Sequence, residues 1–271
     1  MKKIFNDEQV AYIKANYQTM SYSEIARNLG DYTERQVRGK INGLGLSKLR
    51  KFNDTYFHHI DTPTKAYWLG FLFADGYLIY RSASRNYEMG IELQKQDEYI
   101  LESLAGELGG QHNVSSKSSD KEFNGYRYHT ESVVLRVYSK QVVTDLINHG
   151  IVPNKTNSTI FPHCEQFFQD FVRGYLDGDG CIYINYAGSN PHTYISFTCS
   201  NEAFLAMMRD SIESAIGITG HIYKETDRKY KLVYFKDSDI PVLLNWIYYD
   251  PTATMLTRKR EKCNEALGLA A

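Results

Sequence analysis

Two aspartates, 104 positions apart, end two similar apolar segments of the sequence. Asp75 lies near the end of residues 68–76 (WLGFLFADG), and Asp179 near the end of residues 172–180 (VRGYLDGDG). If the segments pair as helices about a pseudo-twofold axis, the two carboxylates meet and require cations between them. Mg²⁺ favours oxygen ligands, keeps several waters and accepts phosphate oxygens. The pattern therefore predicts a metal site suited to phosphodiester hydrolysis.

Small residues precede both aspartates at helical spacing. Gly70 and Ala74 lie four positions apart, as do Gly174 and Gly178. Small residues four apart share one helix stripe and let two helix axes approach closely, so these four are the predicted helix interface. One Asp-Gly pair is more often a turn former than a catalytic group, but two at equivalent positions reverse that balance. Asp177 is a weaker candidate, because its matching position holds a phenylalanine.

The offset of 104 recurs along the chain and indicates an internal duplication. Ile91 matches Ile195, and Glu98 matches Glu202. Strand patterns in the first copy fall at residues 77–80, 89–93, near 114 and at 132–138, between amphipathic helix patterns. The order helix–strand–strand–helix–strand–strand–helix occurs twice, which predicts a mixed α/β (α+β) fold with antiparallel hairpins.

The first 50 residues differ from the rest in pattern and charge. Three short helix patterns, with a tight turn at Gly30 before the third and small Ala26 in the second, predict a helix-turn-helix domain. Residues 1–51 hold 10 Lys or Arg against 5 Asp or Glu, whereas residues 52–271 hold 21 against 27. The predicted domains are therefore 1–50 (helix-turn-helix), 51–63 (linker), 64–160 (repeat 1) and 161–271 (repeat 2).

The exposed side of the third helix carries side chains suited to DNA. Arginine and glutamine can reach guanine and adenine edges in the major groove, while the other cations suit phosphates. The alternative is a helical interaction module with a solvated charged face. The candidate DNA-binding residues of this domain are Arg35, Gln36, Arg38 and Lys40.

Composition places few further limits on function. No run approaches the length of a membrane span and no signal-peptide pattern opens the chain, so no membrane partner is expected. The four cysteines form no Cys-x-x-Cys pair and are typical of reduced thiols. We expect a cytoplasmic protein, with a bacterial, phage or organellar compartment left open.

The two motifs resemble the signature of the LAGLIDADG homing endonucleases in the single-chain, two-motif form. Residues 66–71 and 256–259 also resemble this family, and the likeness covers residues 64–271. It implies two pseudo-symmetric αββαββα repeats whose sheets form a saddle over a long double-stranded DNA target, bound by a monomer. It further implies that Asp75 and Asp179 hold the catalytic Mg²⁺, for which Mn²⁺ can substitute, and that the enzyme cuts both strands.

The same resemblance suggests three further catalytic residues. The family pattern places a lysine near each scissile phosphate, and Lys155 and Lys259 each lie 80 residues after their aspartate. Such a lysine can stabilise developing charge or position water. Gln94 resembles the polar residue on the second strand that often completes the site. Its partner at offset 104 is Thr198, which leaves the two halves asymmetric.

Base and phosphate contacts in the larger part would come from the sheet faces. The candidates there are Arg81, Arg85, Lys117, Arg127, Asn185, Lys224, Arg228, Lys229 and Lys231. Two other functions stay open: a DNA-binding regulator that no longer cuts, and an RNA-splicing maturase on the same scaffold. Both motif acids are present, which favours cleavage over the regulator, and a helix-turn-helix fits duplex DNA better than RNA.

Overall fold

The computed structural model describes residues 5–46, 52–109, 114–123, 125–153, 161–162, 164–187 and 191–269. The chain divides into two compact units, Met1–Lys51 and Phe52–Ala271. In the described residues no helix is long and apolar enough to cross a membrane. Lys155 lies outside the described residues, so its prediction has no structural counterpart here.

The smaller unit contains three helices, α1 (Asp7–Asn16), α2 (Tyr22–Asn28) and α3 (Glu34–Gly43). Each begins with a reciprocal capping box, in which the N-cap side chain and the residue three positions later satisfy each other's backbone N–H group. The core residues of this unit are Ile13, Ile25, Ala26, Val37 and Ile41.

The larger unit contains two copies of one element order. The first copy comprises α4 (Pro63–Ala74), β1 (Gly76–Arg81), β2 (Asn86–Gln94), α5 (Glu98–Glu107), β3 (Ser115–Phe123), β4 (Tyr126–Val137) and α6 (Lys140–Asn148). The second comprises α7 (Phe168–Asp179), β5 (Gly180–Asn185), β6 (His192–Cys199), α8 (Glu202–Ile216), β7 (His221–Thr226), β8 (Lys229–Tyr234) and α9 (Asp239–Ile247), and α10 (Thr257–Ala266) follows.

Both sheets have the same topology. The strand orders are β1-β2-β4-β3 and β5-β6-β8-β7, with antiparallel pairing throughout. Apolar residues from one face of each sheet join α4, α7 and the flanking helices in one core. The predicted mixed α+β fold with two αββαββα repeats is confirmed.

The β3–β4 hairpin is much longer than the sequence predicted. Strand patterns were expected only near residue 114 and at 132–138, whereas the paired strands run from Ser115 to Val137 around one turn. The added residues of β3 read SSKSSDKEF and show no alternation of apolar and polar residues. The period-2 signal that marks a half-buried strand is therefore missing from this hairpin.

The fixed offset of 104 fails within the β-hairpins. Gly76 pairs with Ile91, but Gly180 pairs with Phe197, so the matching offset on the second strand is 106. The cause is loop length: four residues separate the last pair of the first hairpin, and six separate that of the second. The matches of Ile91 with Ile195 and of Gln94 with Thr198 are therefore wrong. Thr198 corresponds to Glu92.

Candidate nuclease site

Helices α4 and α7 approach backbone to backbone at two glycines. A Cβ built on Gly70 would overlap the carbonyl oxygen of Phe171, and one built on Gly174 would overlap that of Tyr67. The contacted residues are themselves 104 apart, so the pseudo-twofold axis relates the two contacts to each other. Each backbone thus occupies the space that a side chain on the other helix would need.

The close approach continues to the ends of the two helices. A Cβ on Gly178 would overlap that of Ala74 and would lie 3.2 Å from Oδ2 of Asp75. Asp179, the next residue, ends α7 and is exposed, while Asp75 caps α4 and is half-buried. The structure therefore brings the two predicted acids to one place.

Tyr175 lies one turn earlier on α7, and both acids affect the pKa of its phenol. Burial raises the pKa of its phenol well above the ordinary value, and Cys199, Asp179 and Asp75 raise that pKa further. The hydroxyl donates to the carbonyl oxygen of Thr198 at 2.8 Å, which fixes this aromatic ring beneath the site.

An open groove of about 650 Å³ runs from Asp179 across the second sheet. Its walls combine a carboxylate, hydroxyls, tyrosine rings and two lysines, so the surface can contact anionic and aromatic groups together. The lining residues are Gly178, Asp179, Gly180, Cys181, Tyr183, Tyr194, Ser196, Thr198, Lys229, Lys231 and Val233.

Lys259 reaches the same site from α10. It is 8% exposed, and its Nζ donates to the carbonyl oxygen of Gly180, directly after Asp179. Burial lowers the pKa of this ammonium, Arg258 lowers it further, and Asp177, Cys181 and Asp75 oppose both. An ammonium held beside the acids can stabilise charge that develops on a bound phosphate.

Gln94 lies on the second strand of the first repeat, and its catalytic role stays a prediction. It ends β2 opposite Ser132, three residues beyond the one that pairs with Gly76, which is roughly 10 Å along a strand. Its Oε1 accepts from Gln96 Nε2 at 2.9 Å. Register instead places Glu92 where Thr198 lies in the second copy, and Glu92 accepts from Ser132 Oγ at 2.7 Å.

Several predicted DNA-binding cations of the sheets form ion pairs in this structure. Lys117 contacts Glu92, and Lys229 and Lys231 share Glu225. Lys224 pairs with Asp227, and Arg127 contacts Glu122. Such surface pairs contribute about 0–1 kcal/mol each, so phosphate can displace the carboxylates at small cost.

The other sheet candidates lie at the hairpin ends. Arg81 is the last residue of β1 and is exposed, and Arg85 takes a left-handed backbone (φ 50°) in the turn that follows. Asn185 ends β5, where its Oδ1 accepts from the N–H group of Ala187 at 2.9 Å. Arg228 lies in the turn between β7 and β8 and is exposed.

The face of the first sheet carries a polar cluster that sequence reasoning missed. Tyr77 donates to Glu88 at 2.7 Å, and Arg136 Nε contacts both Tyr77 Oη and Glu88 Oε1 at 3.2 and 3.3 Å. Gly90 leaves the space for the Tyr77 ring. The signal was present, because Arg136 interrupts an apolar run on β4, but the register needed to join these residues was unknown.

In the smaller unit the candidates lie along α3. Arg35, Gln36 and Arg38 are exposed, whereas Lys40 is half-buried and lies over the ring of Phe5. The Oε1 of Gln36 accepts from the N–H group of Thr33 at 2.8 Å and so closes the helix cap. The amide oxygen of Gln36 is therefore already engaged within the helix, whereas the side chains of Arg35 and Arg38 are exposed.

The acids fit a hard divalent cation but do not form a complete cage. No cluster of three or more His, Cys, Asp or Glu side chains suited to a metal occurs in the part of the chain that is described. Two neighbouring carboxylates, of which Asp179 lines the open groove, suit a divalent cation that takes its remaining ligands from waters and substrate phosphates.

Comparison with known proteins agrees with this architecture. Residues 169–260 match the model of the LAGLIDADG-like domain. Among solved structures, the chain is similar to the meganuclease I-SmaMI bound to uncleaveable DNA (14% identity, TM-score 0.52, 76% of this chain and 90% of that one). It is also similar to the homing endonuclease I-WcaI bound to its recognition sequence (10%, 0.55, 82% and 96%) and to the LAGLIDADG meganuclease I-AabMI bound to uncleaved DNA (14%, 0.50, 76% and 89%). No curated protein matches the sequence.

The class follows from these findings together. Residues 169–260 resemble a LAGLIDADG-like domain, and the chain has the fold of the single-chain LAGLIDADG homing endonucleases.

Proposed function

We propose that this protein is a site-specific endonuclease that binds a long double-stranded DNA target as a monomer and cuts both strands. The observation that carries the proposal is the close packing of α4 on α7 at Gly70 and Gly174. This packing brings Asp75 and Asp179 together beside an open groove. The proteins with this fold named above were solved with DNA, which supports the same substrate.

Asp75 and Asp179 would hold Mg²⁺, or Mn²⁺ in its place. A cation bound there would activate water and neutralise charge at the phosphate. The chain's own residues would complete the site: Lys259, held at the carbonyl oxygen of Gly180, would stabilise charge on the phosphate, and the groove residues of the second sheet would orient the DNA backbone. Close packing of α4 on α7 keeps these groups rigid relative to one another.

A regulator without nuclease activity fits this geometry less well. Such a protein needs no pair of carboxylates at the centre of its DNA-binding surface, where their charge repels phosphate. Asp179 is exposed and lines the groove, so this charge is directed at the surface that the DNA would contact.

The test begins with selection of a cleaved target from a randomised DNA library with Mg²⁺. On that target, Asp75→Asn and Asp179→Asn should each slow cleavage at least about 100-fold, because each removes a charged ligand. DNA affinity should stay within about threefold, since neither side chain carries the main phosphate contacts. The matched control is Asp210→Asn, an exposed acid on α8, which should cut at the wild-type rate. Normal cleavage by both motif variants would refute the assignment.

A further inference from the structure

The motif helix of the second repeat, α7, contains a fully buried carboxylate at a position where α4 has none. Asp177 is 0% exposed, and Phe73 occupies the matching position on α4. It accepts three hydrogen bonds: from Tyr67 Oη at 2.9 Å, from Tyr248 Oη at 2.8 Å and from the N–H group of Leu256 at 2.7 Å. A buried charge is retained at a cost of several kcal/mol unless such contacts satisfy it.

These contacts fix the start of α10. Leu256 is the N-cap of that helix and makes no side-chain cap of its own, so the Asp177 carboxylate holds the residue where the helix begins. Lys259 follows in the first turn, and the Asp177 charge acts directly on its ammonium.

A second buried residue of α7 holds the same segment. Arg173 is 1% exposed, and its Nε donates to the carbonyl oxygen of Thr254 at 3.2 Å. The matching residue of the first repeat is Leu69. Repeat two therefore anchors the segment that leads to its lysine with two polar side chains of the motif helix. The two matching positions of repeat one, Leu69 and Phe73, are apolar.

We propose that Asp177 is a positioning residue for Lys259, and that it supports cleavage of one DNA strand more than the other. The proposal rests on the proposed nuclease function for its strand assignment. Each repeat serves one scissile phosphate in a pseudo-symmetric site, so loosening the start of α10 displaces only the lysine of repeat two. A displacement of about 1 Å costs up to about 100-fold in rate.

The experiment measures cleavage of each strand separately, with different labels on the two 5′ ends, under single-turnover conditions. Lys259→Met identifies the strand that depends on this lysine. Asp177→Asn places an N–H donor among existing donors, and should slow that strand about 10- to 100-fold more than the other. Asp145→Asn, a buried aspartate in α6, is the matched control and should show no strand bias. Equal slowing of both strands by Asp177→Asn would overturn the proposal.

A second measurement needs no cleavage. The rate at which an amine-reactive ester acylates Lys259, read by peptide mass spectrometry, should rise at least about fivefold in Asp177→Asn, because the released side chain can present its free amine to the reagent. Exposed Lys236 should react at an unchanged rate. An unchanged rate at Lys259 would overturn the proposed positioning of this lysine by Asp177, whether or not the wild-type protein cuts DNA. Absence of cleavage by the wild-type protein would separately refute the proposed function. If Asp177→Asn does not fold, Tyr248→Phe removes one donor and should give a smaller rise of the same kind.

Discussion

A single buried carboxyl group couples the stability of the fold to pH. Burial raises the pKa of Asp177 from 3.8 to about 6, against the opposing effect of its hydrogen bonds from Leu256, Tyr248 and Tyr67 and of the Lys259 charge. The folded protein therefore binds this proton more tightly than the unfolded chain does. Stability from this group is complete below about pH 4 and is lost as pH rises through about 6.

The measurable consequence is a difference between two proteins. From pH 4 to pH 7 the loss at Asp177 amounts to about 2 kcal/mol of unfolding free energy. Asp177→Asn cannot titrate, so the variant should lack this decline, although its hydrogen bonds are weaker at every pH. Urea unfolding with a chelator present, at intervals of half a pH unit, gives both curves. Parallel curves would show that the carboxyl does not titrate in this range.

At the scale of elements, the contact between α4 and α7 depends on the absence of two side chains. Gly70→Ala and Gly174→Ala each place a methyl group against a backbone carbonyl, which cannot move aside as a side chain can. We expect each substitution to lower the unfolding free energy by roughly 1–3 kcal/mol. The two losses should be similar, because the pseudo-twofold axis relates the two contacts.

The matched control is a helical glycine with space around it. Gly106 lies inside α5, and a Cβ there meets no heavy atom within 4 Å. Gly106→Ala should therefore raise the unfolding free energy by about 0.5–1 kcal/mol through helix propensity alone. Denaturant unfolding of the three variants decides the matter, and wild-type stability in Gly70→Ala would contradict the backbone contact.

The elements that the sequence predicted are those with strong local signals. The motif helices, their small-residue stripes and the paired acids follow from periodicity and repetition, and the structure places all of them at one interface. The β3–β4 hairpin and the partner of Gln94 depend instead on which strands pair and on loop length. Asp177 could not be assigned from sequence, since its three donors come from residues 67, 248 and 256, which only the tertiary fold brings together.

At the scale of the whole molecule, charge is divided unequally between the two units. Residues 1–51 have an excess of five cations, whereas residues 52–271 have an excess of six acids. Several sheet cations of the larger unit are moreover paired with carboxylates in this structure. The smaller unit has its own core, centred on Ile13 and Ile41. Under the proposed function, its excess of cations would add phosphate contacts to those of the larger unit.

Removal of residues 1–51 should therefore weaken binding without slowing the chemical step. We expect affinity to fall at least roughly tenfold at 0.15 M salt, and the salt dependence to become shallower by about 0.9 for each phosphate that the smaller unit would otherwise neutralise. The single-turnover rate constant at saturating protein should stay within about twofold, because Asp75, Asp179 and Lys259 all belong to the larger unit.

The double variant Arg35→Gln, Arg38→Gln leaves the core of the smaller unit unchanged and should reproduce part of the effect on affinity. Fluorescence anisotropy over a salt series, beside a quenched cleavage assay, separates the two effects. Unchanged affinity and slope would show that α3 does not bind DNA, and a slower rate constant on fully bound DNA would place the smaller unit in the chemical step instead.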